Sequence, residues 1–303
     1  MNTQNNIPQE YLYGLAASPD FLNDGVLFAA KQSGLYRSTD HGQNWIYAYD
    51  SLGLETFLPT TALALSPNYS GDQTVFAAVE GNILRSTDGG QSWVYTELVE
   101  PAPLVSVLGI SPNFSEDGLL LAGTLDDGIV RSTTRSATWH RWNFGLLDPH
   151  IYALAFSLDG TILAGAESGI YRSTNRGRAW REVDFPMDLA PVINLAASGE
   201  AIFAGTEENG LYISKDGGNI WTKLAPDTIQ GAVIQVLVDG TDVLAVLEDG
   251  VWFSGDQGKS WDLRKDFDAE KSISYVAAPL GHSTSSPLWV GLFTGEIIKI
   301  GGE

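Results

Sequence analysis

The side chains of this sequence best placed to do chemistry are carboxylates. Glu80, Asp126-Asp127, Glu167, Glu207-Glu208 and Glu248-Asp249 each sit in a short polar turn between two apolar runs, against a single Lys31 at the equivalent place. Two carboxyl groups held across a cleft can cleave a glycosidic bond. A row of them can instead dock a basic partner or a cation. Other reactive sets are missing. His41, His140, His150 and His282 are scattered without ligand spacing, so no metal site is expected. There is no cysteine, which excludes disulfides, thiol catalysis and cysteine-ligated metals. Neither a serine elbow nor a phosphate-cradling glycine loop is present, and no cofactor is expected.

The overall charge narrows the partners. The chain of 303 residues carries a formal net charge of -20 with a pI near 4.4. A phosphate backbone would be repelled, so nucleic acid is excluded, and anionic membrane surfaces are disfavoured for the same reason. A protein partner with a basic surface, a cationic ligand or a carbohydrate stays compatible. No run approaches the roughly 18 apolar residues of a membrane-spanning helix. The segment Met1-Asn2-Thr3-Gln4-Asn5-Asn6 lacks a basic region followed by an apolar one, so no signal peptide is visible and a cytoplasmic location is expected.

The elements that position these carboxylates come from a repeat. The stretch Ser86-Thr87-Asp88-Gly89-Gly90-Gln91-Ser92-Trp93 appears six times, intact or worn, with its tryptophans 48, 46, 41, 41 and 40 residues apart. That period fits a four-stranded propeller blade. The key residues are Ser38, Asp40 and Trp45; Ser86, Asp88 and Trp93; Ser132 and Trp139; Ser173, Asn175 and Trp180; Ser214, Asp216 and Trp221; and Ser254, Asp256 and Trp261. Serine and aspartate two apart can accept bonds from backbone amides just ahead. Glycine at the fifth position allows a positive φ. In the third copy Thr134 and Ser136 replace Asp and Gly, and a looser turn is expected there.

Three short strand signals precede each copy and one follows it. In the second unit these are 61–65, 74–78, 82–85 and 93–96, all bounded by turn residues. Helices have no evident place. The first three units share a longer hairpin, Ser18-Pro19-Asp20-Phe21 to Asp24, Ser66-Pro67-Asn68-Tyr69 to Asp72 and Ser111-Pro112-Asn113-Phe114 to Asp117. Its oxygens suit a capped turn better than a calcium loop, which needs more ligands at tighter spacing. The innermost strands alternate small and large residues, as expected where sheets stack face to face around a crowded axis. Asn194 and Gln235 interrupt the small row, and channel water is their preferred partner, with hydrogen bonds across a wider part of the ring as the alternative. Tyr13 and Tyr152, near the inner-strand starts, could flank the channel mouth, with core packing the preferred reading.

After Trp261 come three strands without a turn copy, and residues 2–7 fall where a fourth would sit. One domain over 1–303 is expected, an all-β seven-bladed β-propeller of four-stranded antiparallel blades. Six blades span about 10–265, and the seventh spans about 272–301 closed by 2–7, which would cover both loose edges. Six blades plus an appended hairpin is the alternative.

Ser-x-Asp-x-Gly-x-x-Trp resembles the Asp-box, or BNR, repeat of sialidase-like propellers. Four copies are complete, those ending at Trp45, Trp93, Trp221 and Trp261. The resemblance spans nearly the whole chain. It is similar to repeats in sialidases, xyloglucan-degrading enzymes, sorting receptors and seven-bladed photosystem II assembly factors, the last being the best match in size. The resemblance implies a propeller with these turns away from the active face, and leaves activity open. Sialidases need converging arginines that clamp a carboxylate. Here Arg37, Arg85, Arg131 and Arg172 occupy one repeat position, just before the turn serine, and are spread around the ring. The xyloglucan enzymes resemble two facing propellers, and this chain has one. The assembly factors display a basic patch, whereas this chain is acidic.

A non-catalytic binding or scaffold propeller is therefore expected. Its acidic face carries the turns between second and third strands, joined by crossover residues Glu55, Glu97, Glu100, Asp148, Asp188, Asp227 and Asp268. A glycoside hydrolase or carbohydrate-binding protein is the alternative.

Overall fold

The computed structural model describes residues 10–186, 191–267 and 271–302. These form seven antiparallel sheets arranged as a β-propeller. Six sheets have four strands in sequential order. The seventh shows three, Ile273–Ala277, Leu288–Leu292 and Ile297–Ile300. The closing strand expected over 2–7 lies outside the described residues.

Burial explains the composition of each strand. Second strands such as Val75–Val79, Leu120–Thr124 and Ile162–Ala166 are buried at every position, because a neighbouring blade covers each face. Outer strands such as Val94–Glu97 and Asp262–Asp266 are mostly exposed and polar. At three blade interfaces a second-strand glycine admits the start of the next blade's inner strand. A Cβ on Gly123 would stand 2.6 Å from Ile151 Cγ2, one on Gly165 2.5 Å from Val192 O, and one on Gly205 2.5 Å from Val233 O. Gly291 meets Leu12 in the same way, so blade 7 seats on blade 1 as an ordinary neighbour. Leu12, Leu15 and Phe21 share one core cluster with Ala277 and Trp289. The appended-hairpin alternative is thereby overturned.

The long hairpins contain helix, contrary to the sequence expectation. One-turn helices α1 (Phe21–Asp24), α2 (Tyr69–Asp72) and α3 (Phe114–Asp117) each end in a left-handed residue. A single residue per helix, Phe21, Tyr69 or Phe114, is buried, while Leu22, the other apolar residue of α1, is exposed. A helical period cannot register in four residues. The aspartate oxygens are engaged internally: Ser18, Ser66 and Ser111 donate to Asp24, Asp72 and Asp117 at 2.5, 2.7 and 2.9 Å. The same carboxylates accept the amides of Val26, Thr74 and Leu119 at 2.9 Å.

Candidate functional site: the turn face and the channel mouth

The repeated eight-residue turns are structural clips. Ser38, Ser86, Ser214 and Ser254 donate to Asp40, Asp88, Asp216 and Asp256 at 2.7–2.8 Å. The fifth-position amides of Gly42, Gly90, Gly218 and Gly258 donate back to the serine oxygens. Each carboxylate also accepts the seventh-position amide, from Asn44, Ser92, Ile220 and Ser260, at 2.9 Å. The Asn44 amide, then its side chain and Ser38, hold Asp40 at about 2. The Ser260 amide and hydroxyl and Ser254 do the same for Asp256. At Asp88 burial pushes the carboxyl up, but bonds from Ser92 and Ser86 outweigh it and leave it at about 2.

The worn copies keep this geometry. Asn175 Oδ1 accepts from Ser173 at 3.0 Å and from the Ala179 amide at 2.9 Å. Thr134 Oγ1 accepts the Thr138 amide at 2.9 Å, and the Ser136 amide reaches Ser132 at 3.1 Å. The third turn is not looser in its backbone bonds. Its cost appears elsewhere: Ser136 Oγ and Trp139 Nε1 are buried without a partner among the described residues. The fifth position is also confined sterically, which sequence reasoning missed. A Cβ on Gly90 would stand 2.7 Å from Phe28 Cε1, and one on Gly218 2.7 Å from Leu163 Cδ2, both from the preceding blade.

The four repeat-position arginines belong to the same scaffold. Arg85, Arg131 and Arg172 each donate to a carbonyl in the next blade's turn, at Arg135, Arg176 and Gly217, over 2.7–3.0 Å. Arg37 Nε is buried without a partner among the described residues. Seven of the 17 Lys and Arg residues fall between 131 and 181. Burial, then the charges of Arg176 and Arg178, lower the Arg131 pKa, so these guanidinium groups share one sector beside the two turns that lack an aspartate.

The opposite face carries the candidate site. Amides of the second-to-third turns bond crossover carbonyls, as Leu125 to Leu104, Glu167 to His150 and Glu207 to Pro191. The clips instead bond the first hairpins, as His41 to Gly25 and Gly89 to Gln73. The two loop sets thus emerge at opposite ends of the blades. Glu80, Asp126, Glu167, Glu207, Glu208, Glu248 and Asp249 are exposed on the turn face. Two acids there are engaged. Asp127 pairs with Arg141 at 2.5 Å, and Arg141 also holds the carbonyls of Glu100 and Pro101. Glu167 lies 3.4 Å from His150 Nδ1. The remaining six make no side-chain hydrogen bond or ion pair among the described residues. Asp148 is a structural acid: burial pushes it up, but the His150 amide and Ser168 bring it below the usual range. Asp188 and Asp268 lie outside the described residues. No group of three or more His, Asp or Glu among the described residues is arranged to hold a metal ion.

A central cavity of about 310 Å³ is lined by the starts of all seven inner strands, including Tyr13, Thr61, Ser106, Tyr152, Asn194, Ile234 and Tyr275. These strands enter from the crossovers, so Tyr13 and Tyr152 stand at the mouth on the turn face. Tyr13 is 43% exposed and stacks on Tyr11 at a 6.4 Å centroid distance. Both tyrosines are cavity walls, which corrects the preferred core reading in favour of the channel-mouth alternative. The pairing register skips Tyr13, Ser106 and Tyr152, placing bulges there. Bulges re-aim side chains, and no composition signal marks them.

Asn194 and Gln235 follow the alternative reading, bonding across the ring to backbone where water was preferred. Asn194 Oδ1 accepts the Val236 amide at 2.8 Å. Gln235 accepts the Val276 amide at 2.7 Å and donates to the Val276 carbonyl at 3.0 Å. Thr61 donates to Val105 O at 2.7 Å and Ser106 to Ile151 O. These four side chains stitch adjacent inner strands where the ring leaves a gap.

No family model and no curated protein sequence matches the chain. Solved structures do. The GH74 enzyme NkGH74 of Niastella koreensis superposes with a TM-score of 0.74 at 17% identity, over 95% of this chain and 52% of that one. YCF48 bound to D1 peptide gives 0.70 at 15%, over 97% and 93%. The extracellular domain of BT4673 from B. thetaiotaomicron gives 0.72 at 14%, over 96% and 38%. The chain thus spans about half or less of the first and third. At these identities the likeness is one of fold.

Proposed function

We propose that this chain is a non-catalytic binding propeller of the Asp-box type, a scaffold that engages a protein partner through its acidic turn face. The observation that carries the reading is the contrast between the two faces. On the clip face, Asp40, Asp88, Asp216 and Asp256 spend their oxygens on their own turns. On the turn face, Glu80, Asp126, Glu207, Glu208, Glu248 and Asp249 present carboxylates with no internal partner among the described residues. A rim of one sign accelerates encounter with a basic partner and selects against acidic ones. YCF48, a propeller of similar length, is solved with a peptide bound, which supports a peptide-binding use of this architecture.

The test is capture with crosslinking from the native source, using the wild type and a variant carrying Glu207→Lys, Glu208→Lys, Glu248→Lys and Asp249→Lys. Loss of a specific partner in the variant supports the reading, and unchanged capture removes the face assignment.

Carbohydrate binding or glycoside hydrolysis is the second reading, favoured by the exposed Tyr11–Tyr13 stack beside the cavity. A glycan array and a fluorogenic glycoside panel decide it, and silence on both counts against it.

A further inference from the structure

We propose that the channel mouth binds the guanidinium of a partner's arginine side chain, clamped between Tyr13 and Tyr275 on one side and Tyr152 on the other. The proposal rests on the reading of the turn face as the binding surface and names the chemistry that its centre selects.

Blades 7 and 1 are neighbours in the ring, and blade 4 stands across the channel from them. Tyr275 and Tyr13 therefore face Tyr152 over a cavity of about 310 Å³, room for one long side chain. The three tyrosine hydroxyls make no hydrogen bond to any described residue, and neither does Asn194 Nδ2, whose partner oxygen is bound to Val236. Polar groups thus line the cavity without being used by the scaffold. Every remaining lining residue is neutral, and no lysine or arginine is among them.

Acid surrounds the opening. Burial, and after it the charges of Glu167, Asp148 and Glu207, push up the pKa of the Tyr152 hydroxyl. The backbone places those turns beside the opening, since the Glu167 amide bonds the His150 carbonyl two residues before Tyr152 and the Glu207 amide bonds the Pro191 carbonyl two residues before Ile193 of the wall. Of the three acids, Glu207 has no internal partner among the described residues. An aromatic wall under a negative rim suits a cation, which gains from the ring faces and from the field together. A guanidinium fits better than an ammonium, because it is planar, stacks on tyrosine and forks to a carboxylate. A neutral sugar would gain from the rings and nothing from the rim.

Calorimetry on the full chain at low salt tests this with the capped peptide acetyl-Gly-Arg-Gly-amide, its citrulline counterpart and a glucan oligosaccharide. The arginine peptide is expected to bind at least about tenfold more tightly than the neutral isostere, with affinity falling as salt rises. Tyr152→Leu should reduce arginine binding by about tenfold, while Tyr152→Phe, which keeps the ring, holds it within about twofold. Glu207→Gln, on an exposed turn, should weaken binding and flatten its salt dependence, and it serves if Tyr152→Leu does not fold. Equal affinity for arginine and citrulline, indifference to both Tyr152→Leu and Glu207→Gln, or Tyr152-dependent binding of the glucan alone would each overturn the proposal. If arginine fails to bind while the Glu248→Lys, Asp249→Lys protein still loses its macromolecular partner, the cavity proposal falls and the face reading stands. Arginine binding with partner capture indifferent to those reversals keeps the cavity and removes the face.

Discussion

Trp289 Nε1 donates to the backbone oxygen of His41 at 2.9 Å, joining residues 248 apart in the chain. Trp289 belongs to blade 7 and His41 to the clip of blade 1. The indole occupies the place that Phe28 and Leu163 hold elsewhere, against the fifth-position glycine of the next clip, here Gly42. Ring closure among the described residues therefore uses the contact that joins ordinary blades, with one added hydrogen bond.

Trp289 is 2% exposed, and its removal is expected to loosen the ring at that seam. Trp289→Ala should cost about 3–5 kcal/mol. Trp289→Phe should cost about 1–3 kcal/mol, since it leaves the His41 carbonyl unpaired. Denaturant unfolding measures both, and amide exchange should rise first in blades 7 and 1.

Ser136 is a clip residue whose replacement should strengthen the protein, since it combines a left-handed backbone with a buried hydroxyl that has no partner among the described residues. Its φ is 71° where other clips carry glycine. Ser136→Gly removes both penalties and should add about 1 kcal/mol of stability. Gly90→Ala should do the opposite, because its Cβ would meet Phe28. Thermal denaturation of the pair shows the two signs.

Gln235 is buried and uses both ends of its amide on Val276. Gln235→Leu keeps much of the volume but orphans a backbone N–H and a carbonyl, at about 2–4 kcal/mol. Urea midpoints compare it with Asn194→Leu, which orphans only the Val236 amide and should cost less.

Acid should weaken the clips over a defined window. Asp40, Asp88 and Asp256 are held at about 2 in the folded chain, below the unfolded value of about 3.9. A depressed folded pKa stabilises above the unfolded value, and that contribution is lost as pH falls from about 4 through about 2. Asp256→Asn should flatten the dependence of stability on pH in that window and lower stability at neutral pH toward the acid value, while the clip itself still forms, since Asn175 makes the same backbone bonds in blade 4. Chemical denaturation at stepped pH checks the slope.

Much of the fold was legible because the clip combines turn chemistry with a bulky anchor at a fixed period. Its spacing marks six blades and the three strand signals after Trp261 the seventh, and the arginines before it were correctly read as distributed. The short helices were not legible, since a single buried Phe21, Tyr69 or Phe114 carries no period. The looseness expected of the third clip is not found, because the Thr134 hydroxyl oxygen replaces the carboxylate as acceptor. At the candidate site, the exposed acids followed from turn composition, while strand position alone left Tyr13 and Tyr152 undecided between core and channel mouth. Tyr13 and Tyr152 face the channel because of bulges, and Asn194 and Gln235 bond backbone across blade gaps that exist only once the ring is closed. Asp127 could not be separated from its exposed neighbour Asp126 until Arg141 was placed beside it.

The central claim is that partners dock on the turn face, and amide-exchange footprinting of the chain with its captured partner tests it most directly. Protection is expected at the turns containing Glu80, Asp126-Asp127, Glu167, Glu207-Glu208 and Glu248-Asp249, with the clips around Asp40, Asp88, Asp216 and Asp256 unchanged. Protection confined to the clips, with those turns exchanging as in the free protein, would contradict it.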